Sequence, residues 1–214
     1  RLQQSVSKLV DSWDDVVLAE CDAGSDDNIA RAYEQVGEEL GGLDIIVHSI
    51  AFANRDDLGG RFVDTGRDGF RLALDISAYS LVPVVRYAAP LMSENGGSVL
   101  TLTFMASTKV FPGYNVMGTA KAALENEVRQ LASDLGRDNI RVNAISAGPL
   151  DTLSSRAISN YRDMKRVHAE RSPMGRNITH DEVANTALFL SSGMASGITG
   201  VVLHVDTGYH IMGI

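Results

Sequence analysis

Tyr114 and Lys121 stand seven positions apart in PGYNVMGTAK (112–121), a stretch with no other titratable side chain. On an α-helix seven residues turn about 700°, within about 20° of two full turns, and rise roughly 10.5 Å, so both side chains leave one face. A neighbouring ammonium favours phenolate and sharpens a phenol as a donor toward a developing oxyanion, the property that carbonyl chemistry needs. Asn115, Met117, Gly118, Thr119 and Ala120 are mostly small, which lets the helix lie close to a strand or a flat ligand. The spacing by itself also describes a half-buried aromatic at a helix start and a snorkelling surface lysine.

Such a pair needs a frame. Apolar, β-branched runs bounded by turn residues recur at 16–22, 43–51, 97–104, 140–148 and 200–206, each patterned as a strand buried on both faces. Helical patterns fill 25–40, 64–92, 114–136 and 179–192. Ser25 followed by Asp26 and Asp27 predicts an N-cap, Gly136 a C-terminal stop, and Thr179 with Glu182 a capping box. Pro83 should kink or split the second helix. The alternation predicts a doubly wound α/β fold with a mostly parallel sheet, and ligands at the carboxyl ends of its strands.

The totals fit one domain, 1–214: 214 residues, 44% hydrophobic. With 19 Lys+Arg against 27 Asp+Glu, a net charge of -8 and no basic run, nucleic acid is not an expected partner. Cys21 stands alone, so no internal disulfide and no cysteine zinc site can form. No metal is expected. No apolar run looks long enough to span a bilayer and no leader pattern opens the chain, so a soluble, cytoplasmic protein without a membrane partner is expected. RLQQSVSKLVDSW (1–13) reads as the middle of an amphipathic helix.

VHSIAFA (47–53), LDISAYS (74–80), PGYNVMGTAKAALE (112–125), IRVNAISAGPLDTLSS (140–155) and HVDTGY (204–209) together resemble segments of the enoyl-[acyl-carrier-protein] reductases of bacterial fatty-acid synthesis, in that family's order. These belong to the short-chain dehydrogenase/reductase superfamily. The usual dehydrogenase pair places tyrosine four positions before lysine; here that position is Met117, and the seven-residue spacing is the enoyl reductase variant. The resemblance implies an NADH-dependent enzyme that reduces the trans-2 double bond of an enoyl thioester carried on acyl carrier protein. It implies Tyr114 as the oxyanion partner and Lys121 as the anchor of the cofactor ribose. Asp22 and Ala23 would meet the adenine, and Ser49, Ile50 and Ala51 would pass under the adenosine ribose. Leu150, Asp151, Thr152, Leu153 and Ser154 would wrap the nicotinamide and pyrophosphate, Leu150 by its backbone and Thr152 by its hydroxyl. Ala53, Phe104 and Met117 would border the substrate. A lid at about 152–176 would cover the acyl chain with Ile158, Tyr161 and Met164, and Arg162, Lys165 and Arg166 could attract the acidic carrier protein, though a solvated charged face accounts for them too. A homotetramer is implied as well.

Two positions depart from the family. Phe104 stands where many members carry a second tyrosine, which would leave Tyr114 as the only phenol of the site. The expected opening strand, glycine phosphate loop, helix and second strand, roughly forty residues, do not precede 25–40, so the chain is expected to be partial. A carbonyl reductase and a catalytically silent scaffold are the alternatives.

Overall fold

The computed structural model describes residues 2–92, 95–152, 155, 158 and 161–213, with side chains from residue 5 onward. Four strands, β1 (Ile45–His48), β2 (Gly97–Thr103), β3 (Ile140–Ala147) and β4 (Val202–Val205), form one sheet in the order β1-β2-β3-β4. Every pair is parallel, with Ile46 beside Val99, Val99 beside Val142 and Ala144 beside Val202. Parallel neighbours require long crossovers, and helices supply them.

Helix α1 covers Leu2–Val10, and α2 runs Asp26–Leu40. Ser25 caps α2, its hydroxyl oxygen accepting from the Asn28 N–H at 3.4 Å, and Gly41 closes it at φ 74°. The second helical pattern resolves into α3 (Arg67–Leu74), a π-helical turn over Asp75–Tyr79 and α4 (Leu81–Met92). The split falls just before Pro83, which sits in the first turn of α4, where a missing N–H breaks no helical bond. Helix α5 spans Asn115–Leu135. Gly136 ends it as its C-cap, as expected, though not in the left-handed conformation: the chain tightens into a 3₁₀ turn over Gly136–Asp138, and Asn139 takes that conformation at φ 58°. Helix α6 is Tyr161–Arg171 and α7 His180–Ser191. The capping box of α7 is complete, Glu182 N–H donating to the Thr179 hydroxyl at 3.2 Å and Thr179 N–H to the Glu182 carboxylate at 2.8 Å.

Alternate residues of β2 and β3 face opposite layers. Val99, Val142 and Ala144 pack with Ile29 of α2, Leu81, Val85 and Ala88 of α4, and Leu124 and Val128 of α5. Leu100 and Ile145 meet Leu190 of α7 on the other face. Each such aliphatic side chain contributes roughly 1.5–3 kcal/mol when fully buried. This is the doubly wound fold that the pattern predicts.

Three expectations fail. Residues 16–22 form no strand, and Val16 and Leu18 are exposed at 40% and 38%; β-branched composition favours a strand only where a neighbour offers a ladder. β1 is buried on one face only, since Ile46 and His48 point inward while Ile45 and Val47 are exposed, and β4 is half-buried throughout. Burial on both faces holds for β2 and β3, which lie between other strands. Lastly, Arg67–Met92 is long and apolar enough to cross a membrane by length and composition, yet half of its most apolar window is buried inside the fold.

Candidate active site

Beyond the carboxyl ends of β1, β2 and β3 lies a cavity of about 500 Å³. The loop after β1 supplies Ser49, Ile50, Ala51 and Ala53, β2 and its end supply Thr103 and Phe104, the N-cap of α5 supplies Tyr114 and the helix itself Met117 and Lys121, and the loop after β3 supplies Leu150 and Thr152. Ile158, Tyr161 and Met164 close it from the side of α6. Residues scattered over more than a hundred positions thus meet in one place.

Tyr114 sits at the head of α5 between two left-handed residues, Gly113 at φ 84° and Asn115 at φ 36°. A non-glycine residue in that region is strained, and such strain gathers at functional sites. The Asn115 amide holds the turn by donating to the Gly59 carbonyl at 2.8 Å. Gly118 lets α5 press against the turn after β2, where a Cβ would come within 2.9 Å of the Ala106 carbonyl oxygen. The small residues of this helix therefore serve a backbone contact. Phe104 meets the Tyr114 ring edge-on at 5.2 Å and Phe111 at 4.7 Å.

The electrostatics depart from the simple pairing of phenol and ammonium. Burial raises the Tyr114 hydroxyl above its ordinary pKa of 10, and Tyr161 pushes the same way. Tyr114 is thus a neutral donor. Lys121 is buried, donates to the Leu102 carbonyl at 2.8 Å, and is lowered by that burial to about 8, with Glu125 acting weakly in the opposite sense. Glu125 accepts from the Thr103 hydroxyl at 2.7 Å. Under β1, His48 lies between Thr101 and Ser80 hydroxyls at 3.1 and 2.8 Å, and burial together with the charge on Lys121 lowers it to about 4.

Tyr161 corrects the expectation of a single phenol: it lines the cavity with Tyr114, and its hydroxyl donates to the Leu150 carbonyl. That carbonyl is engaged by the protein, which leaves the Leu150 N–H as the backbone group for a ligand. Thr152 and Ser155 bond to each other, Ser155 N–H donating to the Thr152 hydroxyl at 3.1 Å and Thr152 N–H to the Ser155 hydroxyl at 3.0 Å. Asp151 is exposed and pairs with Lys165 at 2.5 Å, while Arg166 pairs with Glu170 at 2.9 Å. Two of the three basic groups near the lid therefore have partners of their own; Arg162 is exposed. Leu153 and Ser154 lie outside the described residues. Asp22 and Ala23 stand apart from the cavity lining, in the turn before α2, where the Asp22 carboxylate accepts from the Gly24 N–H at 2.9 Å.

Sequence reasoning overlooked Ser77. Its hydroxyl is fully buried, accepts from the Phe52 N–H at 2.9 Å and donates to the Phe52 carbonyl at 2.8 Å, fixing the loop that carries Ile50 and Ala53. A serine within an otherwise apolar helical run was the available signal.

A parallel sheet with helices on both faces, with a tyrosine at the head of one helix and a lysine within it at the strand ends, has the architecture and site pattern of the short-chain dehydrogenase/reductase class. A family model described as "Enoyl-(Acyl carrier protein) reductase" matches residues 1–210. The enoyl-[acyl-carrier-protein] reductase [NADH] FabI of Bacillus cereus is 48% identical over 100% of this chain and 84% of its own length. The protein of the same name from a Nostoc species is 49% identical over 100% of this chain and 82% of its own. A crystal structure of the Bacillus cereus enoyl-acyl carrier protein reductase with NADP+ and indole naphthyridinone superposes with a TM-score of 0.96 at 48% identity, covering 100% of this chain and 84% of that one. The chain belongs to the enoyl-(acyl carrier protein) reductase family.

Proposed function

We propose that the cavity is the site where an enoyl thioester on acyl carrier protein is reduced at its trans-2 double bond, with Tyr114 and Lys121 in distinct roles. The observation that carries this reading is that Tyr114, at the N-cap of α5, lines one cavity with Met117 and Lys121 of that helix, in a chain of the enoyl reductase family. NADH, when bound, supplies the hydride that adds at C3 of the substrate.

The residues present fit that cofactor. Ser49 and Ala51 line the cavity with small side chains that leave room for close approach of a ligand to backbone, and Lys121 commits one of its three protons to Leu102 among the described contacts, which leaves donors for ribose hydroxyls. Thr152 and Leu150 line the cavity and are assigned to pyrophosphate and carboxamide, and Asp151, Leu153 and Ser154 are assigned to the same part of the cofactor from the resemblance. Asp22 and Ala23 are assigned to the adenine, and Ile50 with its neighbours to the adenosine ribose.

Charge builds on the thioester oxygen as C3 becomes saturated, and an enolate results. Tyr114, kept protonated by burial, donates a hydrogen bond to that oxygen while holding its own proton; one such buried donor is worth roughly 10²–10³ in rate. C2 then takes a proton from solvent, which completes the reduction. Ala53, Phe104 and Met117 present a dry wall to the reacting carbons, and Ile158, Tyr161 and Met164 cover the acyl chain.

A homotetramer and a cytoplasmic setting go with this reading. The test monitors NADH absorbance with purified protein and crotonyl thioester. Consumption with the enoyl substrate and none with ketones is expected; consumption with ketones alone would make it a carbonyl reductase, and none with either a silent homologue.

A further inference from the structure

The carboxyl end of β4 brings together His204, Asp206 and His210, whose ligand atoms all lie within 4.8 Å of one another. None of the three lines the cavity. Asp206 is buried, and its carboxylate accepts from the Gly208 N–H at 3.0 Å, the His210 N–H at 2.9 Å and His210 Nδ1 at 2.9 Å. Nδ1 of His204 is 3.9 Å from the same carboxylate, too far for a hydrogen bond, and is buried without a partner among the described residues. A buried ring nitrogen with nothing to bind is costly and calls for an explanation.

We propose that His204, Asp206 and His210 bind one divalent transition-metal ion of the zinc class. Two imidazoles and a carboxylate suit zinc, nickel or copper, whereas calcium and magnesium prefer all-oxygen shells. Zinc stands about 2.0–2.2 Å from nitrogen and carboxylate donors, which places tetrahedral donors about 3.3 Å apart. The present separations from the carboxylate, 2.9 Å for His210 and 3.9 Å for His204, bracket that value. The two rings are parallel and 4.1 Å apart, so one must swing for both lone pairs to converge. His210 has the freedom, its side chain being 36% exposed, and the same opening admits a water as fourth ligand. A tight turn holds the site together: Thr207 at φ 56° and Gly208 at φ 86° fold His210 back over His204. The ion would lie one strand away from the cofactor side, since Gly148 N–H donates to the Val205 carbonyl at 2.8 Å.

Chelator-treated protein is titrated with zinc chloride by calorimetry, and with cobalt chloride by visible absorption. One ion per chain and a tetrahedral nitrogen/oxygen cobalt spectrum are expected. His210→Gln should weaken zinc binding at least tenfold and lose the cobalt bands, while His180→Gln, an exposed histidine at the start of α7, should change neither. The proposal is overturned if there is no saturable binding, or if His210→Gln binds zinc as the unaltered protein does. Equal loss in His180→Gln overturns it too, since that means scattered surface binding. Glutamine at 210 can still donate to Asp206, which His210 Nδ1 now meets at 2.9 Å, and a melting temperature equal to the parent's without zinc is the control that makes the comparison decisive.

Discussion

Lys121→Met should make the protein more stable near neutral pH while abolishing cofactor binding. Burial lowers the lysine from 10.5 to about 8, with Glu125 opposing weakly. That gap corresponds to about 3 kcal/mol against the charged lysine in the folded chain. Between about pH 8 and 10.5 the unfolded chain binds the proton and the folded chain does not, so stability rises with pH there. Below pH 8 the full cost is present; above about 10.5 it is gone. Methionine matches the alkyl stem without the charge, but leaves the Leu102 carbonyl without the donor it now has at 2.8 Å, a loss of about 1 kcal/mol. The net gain near pH 7 is therefore about 2 kcal/mol, shrinking to nothing or reversing by about pH 10.5. Urea unfolding of both proteins across that range measures it. A variant less stable than the parent near pH 7, or a difference that stays flat between pH 8 and 10, would refute the view that the site holds an unfavourably buried charge for its function.

Tyr114→Phe should lower turnover about 10²–10³-fold with cofactor affinity nearly unchanged, read by steady-state kinetics beside direct NADH binding; equal loss of both would merge the two roles. His48, lowered from 6.5 to about 4, resists protonation in the folded chain, so stability should be full above about pH 6.5 and fall by about 3 kcal/mol between there and pH 4. In His48→Gln that part of the acid limb should vanish from the unfolding profile. Ser77→Ala strands both backbone groups of Phe52, which should cost about 1–3 kcal/mol in a denaturant melt and raise KM for the thioester. Thr179→Ala removes the cap of α7 and should cost about 1 kcal/mol while leaving kcat alone, since neither Thr179 nor a residue of α7 lines the cavity.

The layered fold was legible because β2, β3 and the helices between them carry their own periodicity, and Ser25 and Thr179 mark helix starts by local hydrogen bonds. Residues 16–22 misled because a strand is made by its neighbour and not by its composition alone. The spacing pairs Tyr114 with Lys121, but not through a shared helical face, since Tyr114 is the N-cap of α5 and Asn115 turns left-handed between them; nor does spacing fix their protonation. It depends on how deeply the fold buries each group and on Tyr161, a lid residue 47 positions further along the chain. The same limit hid Ser77 and Asn115, whose roles rest on carbonyls of distant loops.

The π-helical turn at Asp75–Tyr79, closed by the Ser80 N–H on the Asp75 carbonyl at 3.0 Å, holds one residue more than a regular α-turn needs. Deleting one residue of it would let the turn close to α-helix with Leu81, Val85 and Ala88 still on the face they pack against. Ser77, however, would leave the two backbone groups of Phe52 and unpin the loop beside the cavity. A lost codon here would therefore spare the core and spoil the site.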